Sequence, residues 1–121
     1  MTDTSPRPVD IQLHHASHAL EVAFDNGERY RLPCEYLRVH SPSAEVQGHH
    51  PSQRVLVAGK REVNIRAIEP MGNYAVALHF DDGHHSGIFT WSTLLDLGRH
   101  LETNWQDYLE ALENAGLSRD P

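Results

Sequence analysis

The side chains here that could do chemistry are mostly histidines, ten of them in 121 residues. His79-Phe80-Asp81 reproduces the His-x-Asp half of a facial iron triad. Completing such a triad takes a distant second histidine and open coordination positions. In the alternating segment around it, His79 falls on the opposite face to Leu78 and Phe80, which reads as a partly exposed strand histidine. The jelly-roll that carries such triads also needs more β-sheet than this chain offers. His49-His50 and His84-His85 form a second group. Adjacent histidines on a strand point to opposite faces, so at most one of each pair faces a shared site. Zinc wants four nitrogen or sulfur donors, often in closely spaced pairs, and the chain has no Cys-x-x-Cys. A site would have to gather His40, His49 or His50, His84 and Cys34, with Asp82 as a further donor; solvated surface histidines are the plainer reading.

Cys34, the single cysteine, could act as a nucleophile beside a histidine. The neighbouring Glu35 is expected to raise the thiol's pKa, which favours a small half-buried side chain instead. A small enzyme would need a base within reach of a nucleophile, and His84 near Ser41 or Ser43 is the one pairing to check. Gly-x-Ser-x-Gly and dinucleotide glycine motifs are absent, and Gly59-Lys60 lacks the upstream glycine and following hydroxyl of a phosphate loop. Trp91 and Trp105 each begin an apolar helical stripe, so they read as core. No complete catalytic motif is present, and the chain reads as a non-enzyme.

Composition narrows the class further. The length suits one domain, and 39% hydrophobic with 22% charged residues is ordinary for a globular chain. A formal charge of −7, with ten scattered basic residues, argues against a nucleic-acid or anionic-membrane surface. Protonating all ten histidines would carry that charge to +3, so surface behaviour should depend on pH between about 5 and 7. One cysteine cannot form an internal disulfide, which suits a reducing compartment. The polar start lacks an apolar signal region, and no stretch approaches the roughly 20 apolar residues of a membrane span. A cytoplasmic location is the expectation.

The elements that must position these groups read as strands first, then helices. Met1 to Pro8 reads as a loose tail and 9–119 as one domain. Leu20, Val22 and Phe24 alternate, as do Tyr30 and Leu32, around Asp25-Asn26-Gly27. A three-residue loop with Gly27 left-handed pairs Val22 with Tyr30 and Leu20 with Leu32, keeping one face apolar. Pro33 opens a short helical turn. A long histidine-bearing loop follows from His40 to Pro51, and Val55 to Val57 reads as a short strand. Val63 to Ile68, Tyr74 to Phe80 and His85 to Thr90 are expected strands, with Tyr74, Val76, Leu78 and Phe80 on one face. A first C-terminal helix carries Trp91, Leu94, Leu95 and Leu101. A second is expected to begin at a Thr103–Gln106 capping box and to stop at Gly116. The expected class is α+β: a single domain with an antiparallel β-sheet packed by C-terminal helices.

Several segments together are more specific than any one motif. They are Tyr36-Leu37-Arg38 through His49, Ile68-Glu-Pro-Met-Gly-Asn-Tyr through His84, Ser86-Gly-Ile-Phe-Thr-Trp91, and Trp105-Gln-Asp-Tyr108. They resemble the DUF971 family, the domain also found at the N-terminus of gamma-butyrobetaine hydroxylase, over nearly the whole chain after the tail. The resemblance implies a small bacterial domain of unknown role. In gamma-butyrobetaine and trimethyllysine dioxygenases it precedes a separate catalytic domain that holds iron and 2-oxoglutarate, so that activity does not transfer. Related domains are fused to ATPases that handle iron–sulfur clusters. The dioxygenase domain holds a structural zinc through three cysteines and a later histidine. Those positions fall here on Ser41, Ser43, Val46 and His84, which keeps one ligand of four. The leading expectation is thus a non-catalytic accessory or interaction domain with a protein partner, bound to neither nucleic acid nor membrane, and linked by analogy to iron or iron–sulfur metabolism. The rivals are a zinc- or iron-binding protein built on His84 with His49 and His50, and a small enzyme pairing His84 with Ser41 or Ser43.

Overall fold

A computed structural model of the protein describes residues 6–41, 56–82 and 87–120. Chain order gives β1 (Pro8–His14), β2 (Ala19–Phe24), β3 (Arg29–Pro33), α1 (Cys34–Val39), β4 (Ile65–Met71), β5 (Ala75–Phe80), β6 (Gly87–Thr90), α2 (Trp91–Arg99) and α3 (Leu101–Ala115). The class is the α+β expected, with antiparallel strands and C-terminal helices. The strands divide into two three-stranded meanders, ordered β1-β2-β3 and β4-β5-β6. The divide falls where α1 and residues 40–64 separate β3 from β4.

The β2–β3 register is the one the apolar pattern demands, Val22 opposite Tyr30 and Leu20 opposite Leu32, and Gly27 takes φ 92°. Slipping by one residue would turn Leu20, Val22 and Leu32 into water. In the second sheet Val76, Leu78 and Phe80 alternate onto a buried face with Phe89. Both faces meet one cluster with Tyr36 and Leu37 of α1 and Leu94, Leu95 and Leu97 of α2. The sheets are also stapled by polar contacts at Asn64. Its Oδ1 accepts from Ile65 N at 3.0 Å and from the Cys34 thiol at 3.5 Å, its Nδ2 donates to His15 O at 3.0 Å, and its backbone N–H donates to Asp81 Oδ1 at 2.9 Å.

Five local expectations change, one of them Leu101, which opens α3 and is not part of the first C-terminal helix. Leu56 and Val57 form no strand; Val57 O instead accepts from the Tyr108 hydroxyl at 2.7 Å. β4 begins at Ile65 and runs through Pro70 to Met71, which an edge strand tolerates because one of its N–H rows pairs with no strand among the described residues. Tyr74 sits in the turn before β5, 56% exposed, instead of on the buried face. Thr103 is no N-cap: α3 begins at Leu101, one residue after α2, with His100 at the junction. A capping box needs non-helical backbone at its first residue, and Thr103 already lies within the first turn. The cap that does form is Thr90, whose hydroxyl accepts from Thr93 N at the start of α2. Gly116 ends α3 in the left-handed conformation, as expected.

Candidate functional site

The end of α1 and the segment after β5 meet at a partly buried charge cluster. Arg38 is a buried residue although charged, because the six-residue helix buries Cys34 through Arg38 in succession. A buried guanidinium must find an anion, and Arg38 Nε donates to Asp82 Oδ2 at 2.8 Å. Lys60 Nζ approaches the same oxygen at 2.6 Å. Asp82 thus ties together three segments distant in sequence. Next to Arg38, Ser41 is 6% exposed and its Oγ has no hydrogen-bond partner among the described residues. Ser41 lies hard against the start of β6: a Cβ placed on Gly87 would come within 2.1 Å of the serine Oγ. Glycine at 87 is what lets the segment just after α1 and the start of β6 approach this closely.

His40 closes α1, with its Nδ1 at 2.9 Å from Tyr36 O and its ring 4.6 Å from that of Tyr36. A cleft of about 460 Å³ lies here, lined by His40, Val57, Asn104, Asp107 and Tyr108 among others. Burial pushes the Tyr108 hydroxyl up to about 12, helped by the nearby charge of Glu35. Burial also raises Tyr36, against a hydrogen bond from Asn104. Neither phenol is ionised at neutral pH.

Other candidate residues are held in structural contacts. His79 is half-buried on the face opposite Leu78 and Phe80, with Nε2 at 3.2 Å from Glu69 of the adjacent strand. Its companion Asp81 accepts from Asn64 N. Cys34 is fully buried, and its thiol is pushed up to about 11, first by burial and then by the charge of Asp81. Glu35, the neighbour expected to raise it, is not among the causes; its carboxylate is taken by Arg119. At neutral pH this sulfur is a thiol, a poor nucleophile.

His49, His50, His84 and His85, and Ser43 and Val46, lie outside the described residues, as does any pairing of His84 with Ser43. Of the four positions that match zinc ligands in the dioxygenase domain, Ser41 is the one described. Its hydroxyl is neutral, Ser43 offers the same group, and Val46 offers no donor, so these residues do not fit a thiolate zinc centre. Among the described residues no three His, Cys, Asp or Glu side chains are grouped to hold a metal ion. No helix among them is long and apolar enough to cross a membrane.

Sequence reasoning missed Arg38, Lys60 and Arg119. Each pairs with a carboxylate at least 22 residues away, and no local spacing announces that. The one available signal was a charged residue, Arg38, amid the apolar run of a short helix.

Comparison with known proteins places this architecture. The family model for the gamma-butyrobetaine hydroxylase-like N-terminal domain matches residues 11–95. An NMR solution structure is similar at 51% identity and TM-score 0.83, covering 96% of this chain and 91% of its own. A second NMR structure has 48% identity and TM-score 0.83, covering 100% and 92%. A crystal structure from Acidithiobacillus ferrooxidans, of a DUF971 protein with unknown function, has 39% identity and TM-score 0.62, covering 76% of this chain and 92% of that one. No curated protein matches.

Proposed function

The chain belongs to the gamma-butyrobetaine hydroxylase-like N-terminal (DUF971) family, and on that premise we propose that it is a non-catalytic accessory domain that acts by binding another protein. One observation carries the reading. Among the described residues, five groups that could do chemistry are held in structural contacts, while the buried Ser41 hydroxyl has no described base beside it. Cys34 is a buried thiol on Asn64, Arg38 and Lys60 share Asp82, Asp81 caps Asn64, and Glu35 is taken by Arg119. A catalytic group has to reach substrate with its lone pair or proton to spare; these groups spend theirs on the fold. The partner is a protein of iron or iron–sulfur metabolism, by analogy with the family, and the setting is the cytoplasm. An acidic chain with scattered cations is unsuited to nucleic acid.

The test is metal content, by elemental mass spectrometry on untagged protein purified without chelator. The accessory reading expects a folded protein with metal far below one per chain. Near-stoichiometric zinc or iron that disappears in a His84→Ala variant would overturn it in favour of a metal protein using His84 with His49 or His50.

A further inference from the structure

The C-terminal segment after α3 closes onto α1 through a single arginine. Arg119 lays its guanidinium on Glu35, Nε to Oε2 at 2.9 Å and Nη2 to Oε1 at 2.7 Å. Its Cζ stands 5.0 Å over the ring of Trp105. Trp105 in turn stacks on Tyr108 at 5.2 Å between centroids. A fixed carboxylate that accepts both arms of the fork, with an aromatic face beside it, is the chemistry that selects arginine over lysine.

The two sides of this contact are held very unequally. Glu35 is 5% exposed and Tyr108 is buried, each on a helix packed into the core. The segment that brings Arg119 is tied to the end of α3 by Leu117 N to Leu112 O and to the rest of the chain by two further main-chain hydrogen bonds, Gly59 N to Ser118 O and Arg61 N to Arg119 O. To these it adds an ion pair from Arg61 to Asp120, both well exposed. Leu117 is 45% exposed and contributes no buried anchor. The cage is therefore built into the core and its occupant hangs on a strap. Trp105 also lines a groove of about 480 Å³ with Pro33 and Leu101, so a chain whose arginine enters the cage has an apolar trough beside it. The chain's net charge of −7 favours a basic visitor.

We propose that Glu35, Trp105 and Tyr108 form an arginine-side-chain site, filled in cis by Arg119 and opened, when the strap 117–120 lifts, to an arginine-bearing segment of the partner protein. The partner rests on the accessory reading; the cage does not. Arg119 acts as an intramolecular competitor, and a tethered ligand has an effective concentration on the order of millimolar. A partner arginine must therefore bring additional contacts along the groove to displace it.

The cage can be tested with no partner present. In an Arg119→Ala variant, N-acetyl-arginine amide is titrated while the Trp105 indole N–H is followed by NMR. A saturable shift in the millimolar range is expected, at least about tenfold weaker for the lysine analogue, as loss of one charge-assisted hydrogen bond gives, and absent in the wild type at the same concentrations. A folded variant with no arginine-specific response overturns the site. If Arg119→Ala does not fold, Arg119→Lys keeps the charge, loses the fork, and faces the same titration, where an arginine-specific shift supports the site and its absence overturns it. The strap is read in the unaltered protein: the Gly59 and Arg61 amides should exchange with solvent well ahead of the Leu20 and Leu78 amides in the sheets. Equal protection overturns the latch. Failure of either test leaves the accessory reading standing, because that reading turns on metal content.

Discussion

Among the described residues, two arginine–glutamate clasps join distant parts of this chain, and they differ in one respect. Arg119 grips Glu35 across 84 residues, and Arg99 grips Glu28 across 71, each through Nε and Nη2 with distances between 2.6 and 2.9 Å. The hydrogen-bond chemistry is the same. Glu35 sits in α1 with 6% of its side chain exposed, whereas Glu28 and Arg99 stand at the surface with 26% and 49%. In high dielectric the gain from pairing is small and salt erodes it. In the buried case the pairing offsets a desolvation that has already been incurred. Equal geometry therefore implies unequal consequences, and the buried clasp is the one whose loss the fold feels.

The largest effect is expected from Arg119→Ala. It strands the Glu35 carboxylate in a place from which water is nearly excluded. Breaking a buried pair from one side costs about 3–5 kcal/mol, and the lower end applies because Arg119 itself is 30% exposed. Urea unfolding should show the midpoint falling with an unchanged slope. Adding Glu35→Gln to the same chain should recover part of the loss, since a neutral amide is cheaper to bury than a lone carboxylate. A loss below about 1 kcal/mol, or no recovery in the double variant, would mean that water reaches Glu35 and that the two clasps are alike.

Much of the frame was legible in the sequence because it is written in local patterns. The period-2 alternation at Leu20-Val22-Phe24 fixed the first hairpin's register, and the helical spacing from Trp105 to Leu112 fixed α3. Gly116 marked its end. What failed to show were contacts with no local signature. Nothing near Arg119 points to Glu35, and nothing near Arg38 points to Asp82. The split into two sheets was equally hidden, since strand alternation reports which face is buried and not which strands share a ladder. Thr103 misled because a cap depends on where the backbone first turns helical, and the one-residue junction at His100 had settled that earlier. For the candidate site, the resemblance named Ser41 as a ligand position, while the structure supplied its burial and its contact with Gly87.

A smaller effect sharpens the comparison from the exposed side. α2 comes so close to β3 that a Cβ on Gly98 would stand 2.4 Å from the Tyr30 ring. Tyr30 donates its hydroxyl to Glu28, the carboxylate of the exposed clasp. Gly98→Ala should therefore cost about 1–3 kcal/mol through overpacking, with the Tyr30 ring displaced and the Glu28–Arg99 clasp loosened as a by-product. Combining it with Arg99→Gln distinguishes the two contributions. If the stability loss of the pair is dominated by Gly98→Ala, packing decides it and the surface clasp is secondary. If Arg99→Gln alone costs as much, the low value assigned to the exposed clasp is wrong.

The smallest effect is one of pH. The Arg99 guanidinium beside Glu28, followed by the Tyr30 hydroxyl, holds that carboxyl down at about 2. A carboxylate depressed in the folded state stabilises above its ordinary value, near pH 4.5, and that contribution drains away as pH falls toward 2. The melting-temperature difference between wild type and Arg99→Gln should be small and flat above about pH 5 and should shrink toward zero near pH 2. The Glu28 midpoint, followed by carboxyl-carbon NMR, should rise toward its ordinary value in Arg99→Gln. Raising salt to about 1 M, where screening acts over about 3 Å, should erase most of the same difference at neutral pH while leaving the Arg119→Ala loss nearly intact. A Glu28 midpoint unmoved by losing Arg99, or two clasps equally sensitive to salt, would show that burial is not what sets them apart.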